Sequence, residues 1–85
     1  MKYDMYFVYI LKSLKDQKYY MGSTSDVEAR LAYHNSGRQR STKSRIPFVL
    51  VYQEAYNSKM EAEARERQIK SYKGGEGFRK LISGV

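Results

Sequence analysis

Eighty-five residues make one domain and not two, and a chain this short buries only roughly two-thirds of its unfolded surface, so its stability margin is thin. The sequence has no cysteine, which excludes a disulfide framework and a cysteine-ligated zinc. Sixteen lysines and arginines against nine acids give a net charge of +7; such a surface gathers polyanions, and in a cytoplasm the obvious polyanion is DNA or RNA.

Met1 to Asp4 carry no cleavage signature, and the apolar run after them ends near Leu11. That run is far short of the ~20 residues that span a bilayer. We expect a cytoplasmic chain with no signal peptide and no membrane segment. Tyr6 to Leu11 is a continuous β-branched and aromatic run, apolar on both alternating faces. It reads as a central strand covered on both sides. Ser13 to Gln17 interrupt it with polar residues, and Lys18 to Met21 form a second strand that ends at Gly22. The two strands make a hairpin. A turn centred on Leu14 and Lys15 would set Tyr9 directly opposite Tyr20, on one face of the sheet.

Ser25 and Glu28 have capping-box spacing and should start the first helix, which Gly37 stops. Val27, Arg30, Leu31 and His34 fall within one arc of it, with Arg30 and His34 neighbours at i, i+4. Gly37 to Pro47 is a loop charged by Arg38, Arg40, Lys43 and Arg45, with no acid among them and hydroxyls at Ser41, Thr42 and Ser44. Phe48 to Tyr52 is a third strand. Ser58 and Glu61 repeat the capping box at the start of a second helix. Its inward side carries Ala62, Ile69 and Tyr72, flanked by Arg65 and Glu66, and Gly74-Gly75 breaks it. Glu76 to Ile82 make a short last helix packed by Phe78, Leu81 and Ile82. The order is β-β-α-β-α-α, with no repeat or linker. A hairpin cannot make a parallel pair, so the fold class is α/β of the α+β kind: a small three-stranded antiparallel sheet flanked by helices, one domain over residues 1–85.

Six residues stand out by spacing: Tyr9, Tyr20, Gly22, Arg30, His34 and Glu66. Each has an ordinary explanation alone. The tyrosines could be a stacked cross-strand pair. Gly22 could let the chain turn at the site. Arg30 could be solvated, and His34 structural. Glu66 could pair with Lys70 at i, i+4. Together they form Tyr-x10-Tyr-x-Gly-x7-Arg-x3-His, followed by a helix carrying RERQIK from Arg65 to Lys70. In that pattern the sequence resembles the GIY-YIG nuclease superfamily from about Tyr6 to Ile82, and most closely its small stand-alone bacterial branch. Phe7-Val8-Tyr9 and Tyr20-Met21-Gly22 match the two tripeptides of the name. Phe7, Val8 and Met21 depart from it at packing positions. Ser23 stands where some relatives carry a lysine, and an asparagine of the DNA-repair members has no counterpart.

The resemblance implies a metal-dependent endonuclease acting on nucleic acid, DNA ahead of RNA, with a role in DNA repair or recombination. It implies a 5′-phosphate and a 3′-hydroxyl as products. Glu66 would be the metal ligand for one Mg²⁺ or Mn²⁺, an arrangement in which a single carboxylate is completed by waters and substrate phosphate. Arg30 would take phosphate oxygens. Tyr20 would activate or position the water, and as a base it would need nearby positive charge. His34 would relay the proton or be the base itself. Tyr9 would orient its neighbours. Arg38, Arg40, Lys43 and Arg45, with Lys70, are the expected nucleic-acid contacts. The competing reading is a non-catalytic basic DNA- or RNA-binding module, or an adaptor whose protein partner supplies specificity. The catalytic reading requires two phenols, a guanidinium, an imidazole and a carboxylate to converge on one spot.

Overall fold

A computed structural model describes residues 5–83; the expectation made for Met1 to Asp4 lies outside them. β1 (Tyr6–Ser13), β2 (Tyr19–Thr24), α1 (Val27–Asn35), β3 (Phe48–Tyr56), α2 (Lys59–Lys70) and α3 (Glu76–Ser83) follow in the expected order. A short 3₁₀ turn, Lys43–Arg45, interrupts the segment expected to be plain loop. The sheet order is β2-β1-β3, and both pairings are antiparallel. β1 is central, as its doubly apolar pattern requires: Val8, Tyr9, Ile10 and Leu11 are all buried.

The two faces of β1 feed two cores. Val8 and Ile10 pack with Ala62 and Ile69 of α2 and Phe78 of α3. Tyr9 and Leu11 pack with Val27 of α1 and Phe48 of β3. The helices therefore divide, with α1 on one face and α2 and α3 on the other. Among the described residues no helix is long and apolar enough to cross a membrane.

Several boundaries differ from the expectations, each for a polar reason. β1 runs on to Ser13, which is fully buried. Its hydroxyl accepts from the amides of Lys15 and Asp16, both at 3.1 Å, and donates to the Arg45 carbonyl. A polar residue so satisfied can end a strand in the interior. The Ser13 amide donates to the Lys18 carbonyl at 2.8 Å, which leaves Leu14 to Gln17 as the turn. It is centred on Lys15 and Asp16, and Gln17 adopts φ 62°. The register moves accordingly: Tyr9 faces Gly22, and Tyr20 faces Leu11. The slip is two residues, so both tyrosines keep the same face.

Gly22, expected to turn the chain, lies inside β2, which continues to Thr24. The cap of α1 also moves: Asp26, not Ser25, accepts from the Ala29 amide at 3.0 Å. Gly37 ends that helix at φ 81°, the conformation glycine adopts without steric cost. Ser58 caps α2 as expected, accepting from the Glu61 amide at 3.2 Å. β3 runs four residues past Tyr52. Its polar end is held by Glu54, which accepts from Tyr52 and from Tyr56 (2.6 Å) and receives both forks of Arg65 at 2.9 and 3.0 Å. This cluster ties β3 to α2.

Candidate functional site

β1 and β2 bring the two phenols to the face that α1 covers. Across from Tyr9 the partner strand has no side chain. A Cβ built on Gly22 would stand 2.7 Å from the Tyr9 hydroxyl oxygen and 3.0 Å from Cζ. The missing side chain is what lets the Tyr9 ring lie over β2, and that close approach is the reason for glycine here. One turn of α1 apart, Arg30 and His34 point to the same region. His34 is 2% exposed. Its ring lies 4.7 Å from the Tyr20 ring and 6.4 Å from that of Tyr9. Its Nε2 is 3.4 Å from the Tyr9 hydroxyl, and its Nδ1 is 3.0 Å from the Thr42 hydroxyl.

Electrostatics report the same gathering. The Tyr9 phenol is pushed up to about 12, by burial first and then by Tyr20. Arg30 opposes the rise chiefly through its positive charge, and the Glu66 carboxylate adds to it. Tyr9 therefore keeps its proton at neutral pH. His34 is lowered, by burial first and then by the Arg30 charge, so its imidazole is neutral there.

Glu66 comes from the other side. It sits on α2, whose core-facing residues pack against the opposite face of the sheet. Its charge nonetheless acts on Tyr9. The carboxylate is 17% exposed and accepts from Lys70 Nζ at 2.7 Å. Among the described residues no three acidic, histidine or cysteine side chains gather into a ready-made metal cage. One half-buried carboxylate suits a magnesium-like ion that keeps its waters and completes its shell on a substrate phosphate.

The expected nucleic-acid contacts separate into two groups. Arg38, Arg40 and Lys43 are exposed. Arg45 is engaged within the fold: its Nε pairs with Asp16 at 2.8 Å, its Nη2 donates to the Tyr19 carbonyl at 3.3 Å, and its guanidinium lies 5.5 Å from the Phe48 ring. Lys70 is held by Glu66. Sequence reasoning counted Thr42 only as one hydroxyl in a polar loop and passed over Glu54. The one available signal for Thr42 was the lone histidine, whose second ring nitrogen needs a partner once buried.

A small α+β domain with phenols, a guanidinium and an imidazole clustered on one sheet face, and a half-buried glutamate on a later helix, is the class defined by fold and site. The profile of the GIY-YIG catalytic domain matches residues 5–78, and the chain belongs to that family. It is similar to a UPF0213 protein of Staphylococcus haemolyticus, 52% identical over 68 residues that cover 79% of this chain and 82% of that protein. A UPF0213 protein of Staphylococcus aureus is 49% identical over 70 residues, covering 81% of this chain and 84% of that one. The solution NMR structure of the UPF0213 protein BH0048 from Bacillus halodurans superposes with a TM-score of 0.53 at 34% identity, covering 94% of this chain and 83% of that one.

Proposed function

We propose that this chain is a metal-dependent endonuclease that hydrolyses phosphodiester bonds in nucleic acid, DNA ahead of RNA. The observation that carries the proposal is the gathering on one sheet face of Tyr9, whose hydroxyl lies 3.4 Å from His34 Nε2, of Tyr20, whose ring lies 4.7 Å from that of His34, and of Arg30, one turn before His34 on α1. Phosphodiester hydrolysis needs an oriented water, stabilisation of charge on phosphorus and help for the leaving oxygen. Arg30 is exposed, and among the described residues no acid pairs with it. Its fork is free to take phosphate oxygens.

Tyr20 is half-buried and reaches solvent, where it would orient the attacking water. His34 is too enclosed to meet that water directly. Its role is to hold Tyr9, which stays neutral and orients its neighbours by hydrogen bonding. Glu66 would hold Mg²⁺ or Mn²⁺ in place of its present contact with Lys70, and the ion would supply neutralisation of phosphate charge when bound. Arg38, Arg40 and Lys43 would steer the substrate backbone. A chain of this size has little room for base readout, so specificity would come from substrate shape or from a protein partner.

The test is a cleavage screen over single-stranded, duplex, nicked and branched DNA and RNA, with Mg²⁺ or Mn²⁺ and with chelator. The wild type should cut at least one form only with metal. Glu66→Ala and Tyr20→Phe should lower the rate by roughly 10² or more while remaining folded. Salt-sensitive binding without turnover on any substrate would refute the proposal and favour a binding module.

A further inference from the structure

Thr42 lies in the basic segment between α1 and β3, where Arg40, Ser41, Lys43 and Ser44 are all exposed. Thr42 itself is 1% exposed. Its hydroxyl meets two groups: His34 Nδ1 at 3.0 Å and the Gln39 carbonyl at 3.4 Å. On the far side of the imidazole, Nε2 meets the Tyr9 hydroxyl at 3.4 Å. Four polar groups thus stand in a row, and the protons among them can be distributed in only two ways.

If the proton sits on Nε2, it is donated to Tyr9, and Thr42 donates to Nδ1. The Tyr9 proton, on a side chain 1% exposed, then has no acceptor: among the described residues His34 Nε2 is the one hydrogen-bond partner of the Tyr9 hydroxyl, and Arg30 offers only donors. If the proton sits on Nδ1, every group is served. Nδ1 donates to Thr42, Thr42 donates to the Gln39 carbonyl, and Tyr9 donates to Nε2. Buried polar hydrogens are rarely left unpaired, and with Tyr9 1% exposed and Thr42 1% exposed the second arrangement is the one that burial favours.

We propose that Thr42 is a positioning residue that fixes His34 as the Nδ1–H tautomer, so that Nε2 accepts the Tyr9 proton and turns the Tyr9 oxygen lone pairs toward Arg30. Neutral histidine in water prefers the opposite tautomer, so the buried threonine reverses the default. The same residue ties the segment bearing Arg38, Arg40 and Lys43 to the phenol cluster. Its effect on turnover rests on the nuclease reading; its effect on the tautomer does not.

His34 is the single histidine in the sequence, so its ring nitrogens can be read by ¹⁵N NMR without assignment ambiguity. At a pH where the ring is neutral, the wild type should show a protonated Nδ1 and a bare Nε2. A wild-type spectrum with the proton on Nε2 would overturn the proposal outright, whatever the variants do. Thr42→Val should move the ring toward the Nε2–H form, and Thr42→Ser should restore Nδ1–H. In cleavage assays Thr42→Val should lose about tenfold in kcat with KM within about twofold, and Thr42→Ser should recover it. Restored spectra without restored turnover, or an unchanged tautomer in Thr42→Val, would contradict the positioning role. Absence of any cleavage by the wild type would count against the nuclease reading alone, since the spectra decide Thr42 independently.

Discussion

Gly22 shows how a single atom sets the site. Its missing Cβ leaves the space that the Tyr9 hydroxyl occupies. Gly22→Ala should force the buried Tyr9 ring aside at a cost of about 1–3 kcal/mol. In a domain this small, each kcal/mol is worth roughly 4–8 °C in Tm. The same variant should lose the Tyr9–His34 contact. A thermal melt and the His34 ring spectrum both check this, and an unchanged Tm with an unchanged spectrum would contradict it. At this scale the sequence was partly legible. Spacing picked out Tyr9, Tyr20, Gly22, Arg30 and His34, and the fold gathers them. It could not say why residue 22 is glycine, because the reason is a cross-strand contact rather than a turn. Nor could it single out Thr42, whose burial depends on how an exposed loop folds back over α1.

Among the elements, apolar pattern predicted existence and order well and ends poorly. The central strand was evident from the run Tyr6 to Leu11. Its true end at Ser13 was hidden because a buried serine looks like a loop residue until its hydrogen bonds are known. Likewise β3 reaches Tyr56 because Glu54 is clamped by Arg65, Tyr52 and Tyr56, a cluster assembled across two elements. Burial works to raise the Glu54 carboxyl, but hydrogen bonds from Arg65, Tyr52 and Tyr56 outweigh it and hold the group at about 2, against 4.5 for a free side chain. The folded pKa lies below the unfolded one. The clamp's contribution is therefore present above about 4.5 and is lost as pH falls toward 2. The shift corresponds to roughly 3 kcal/mol on an 18% exposed carboxylate. Glu54→Gln should lose about that much stability at pH 7 and flatten the acid limb of the stability curve. Parallel acid limbs in the two proteins would show that the clamp does not carry the pH dependence.

For the molecule as a whole, net charge correctly pointed to a basic surface but not to which cations are free. Arg45 is spent on Asp16 and the Tyr19 carbonyl, while Arg38, Arg40 and Lys43 are exposed. Neutralising those three with glutamine should reduce the slope of log affinity against log salt on duplex DNA by roughly 2–3. Arg45→Gln should chiefly lower stability, and an unchanged slope in the triple variant would remove that segment from the binding surface. The division of helices across the sheet also leaves Glu66 on a different layer from the phenols, so spacing alone could not guarantee that it would act on them. Whether these groups work as one unit is decided most directly by a double-mutant cycle on metal-dependent cleavage. Tyr20→Phe and Glu66→Gln combined should be little slower than the slower single variant, because residues that act together are not additive. Losses that simply multiply, or a Glu66→Gln enzyme as fast as the wild type, would contradict a shared site.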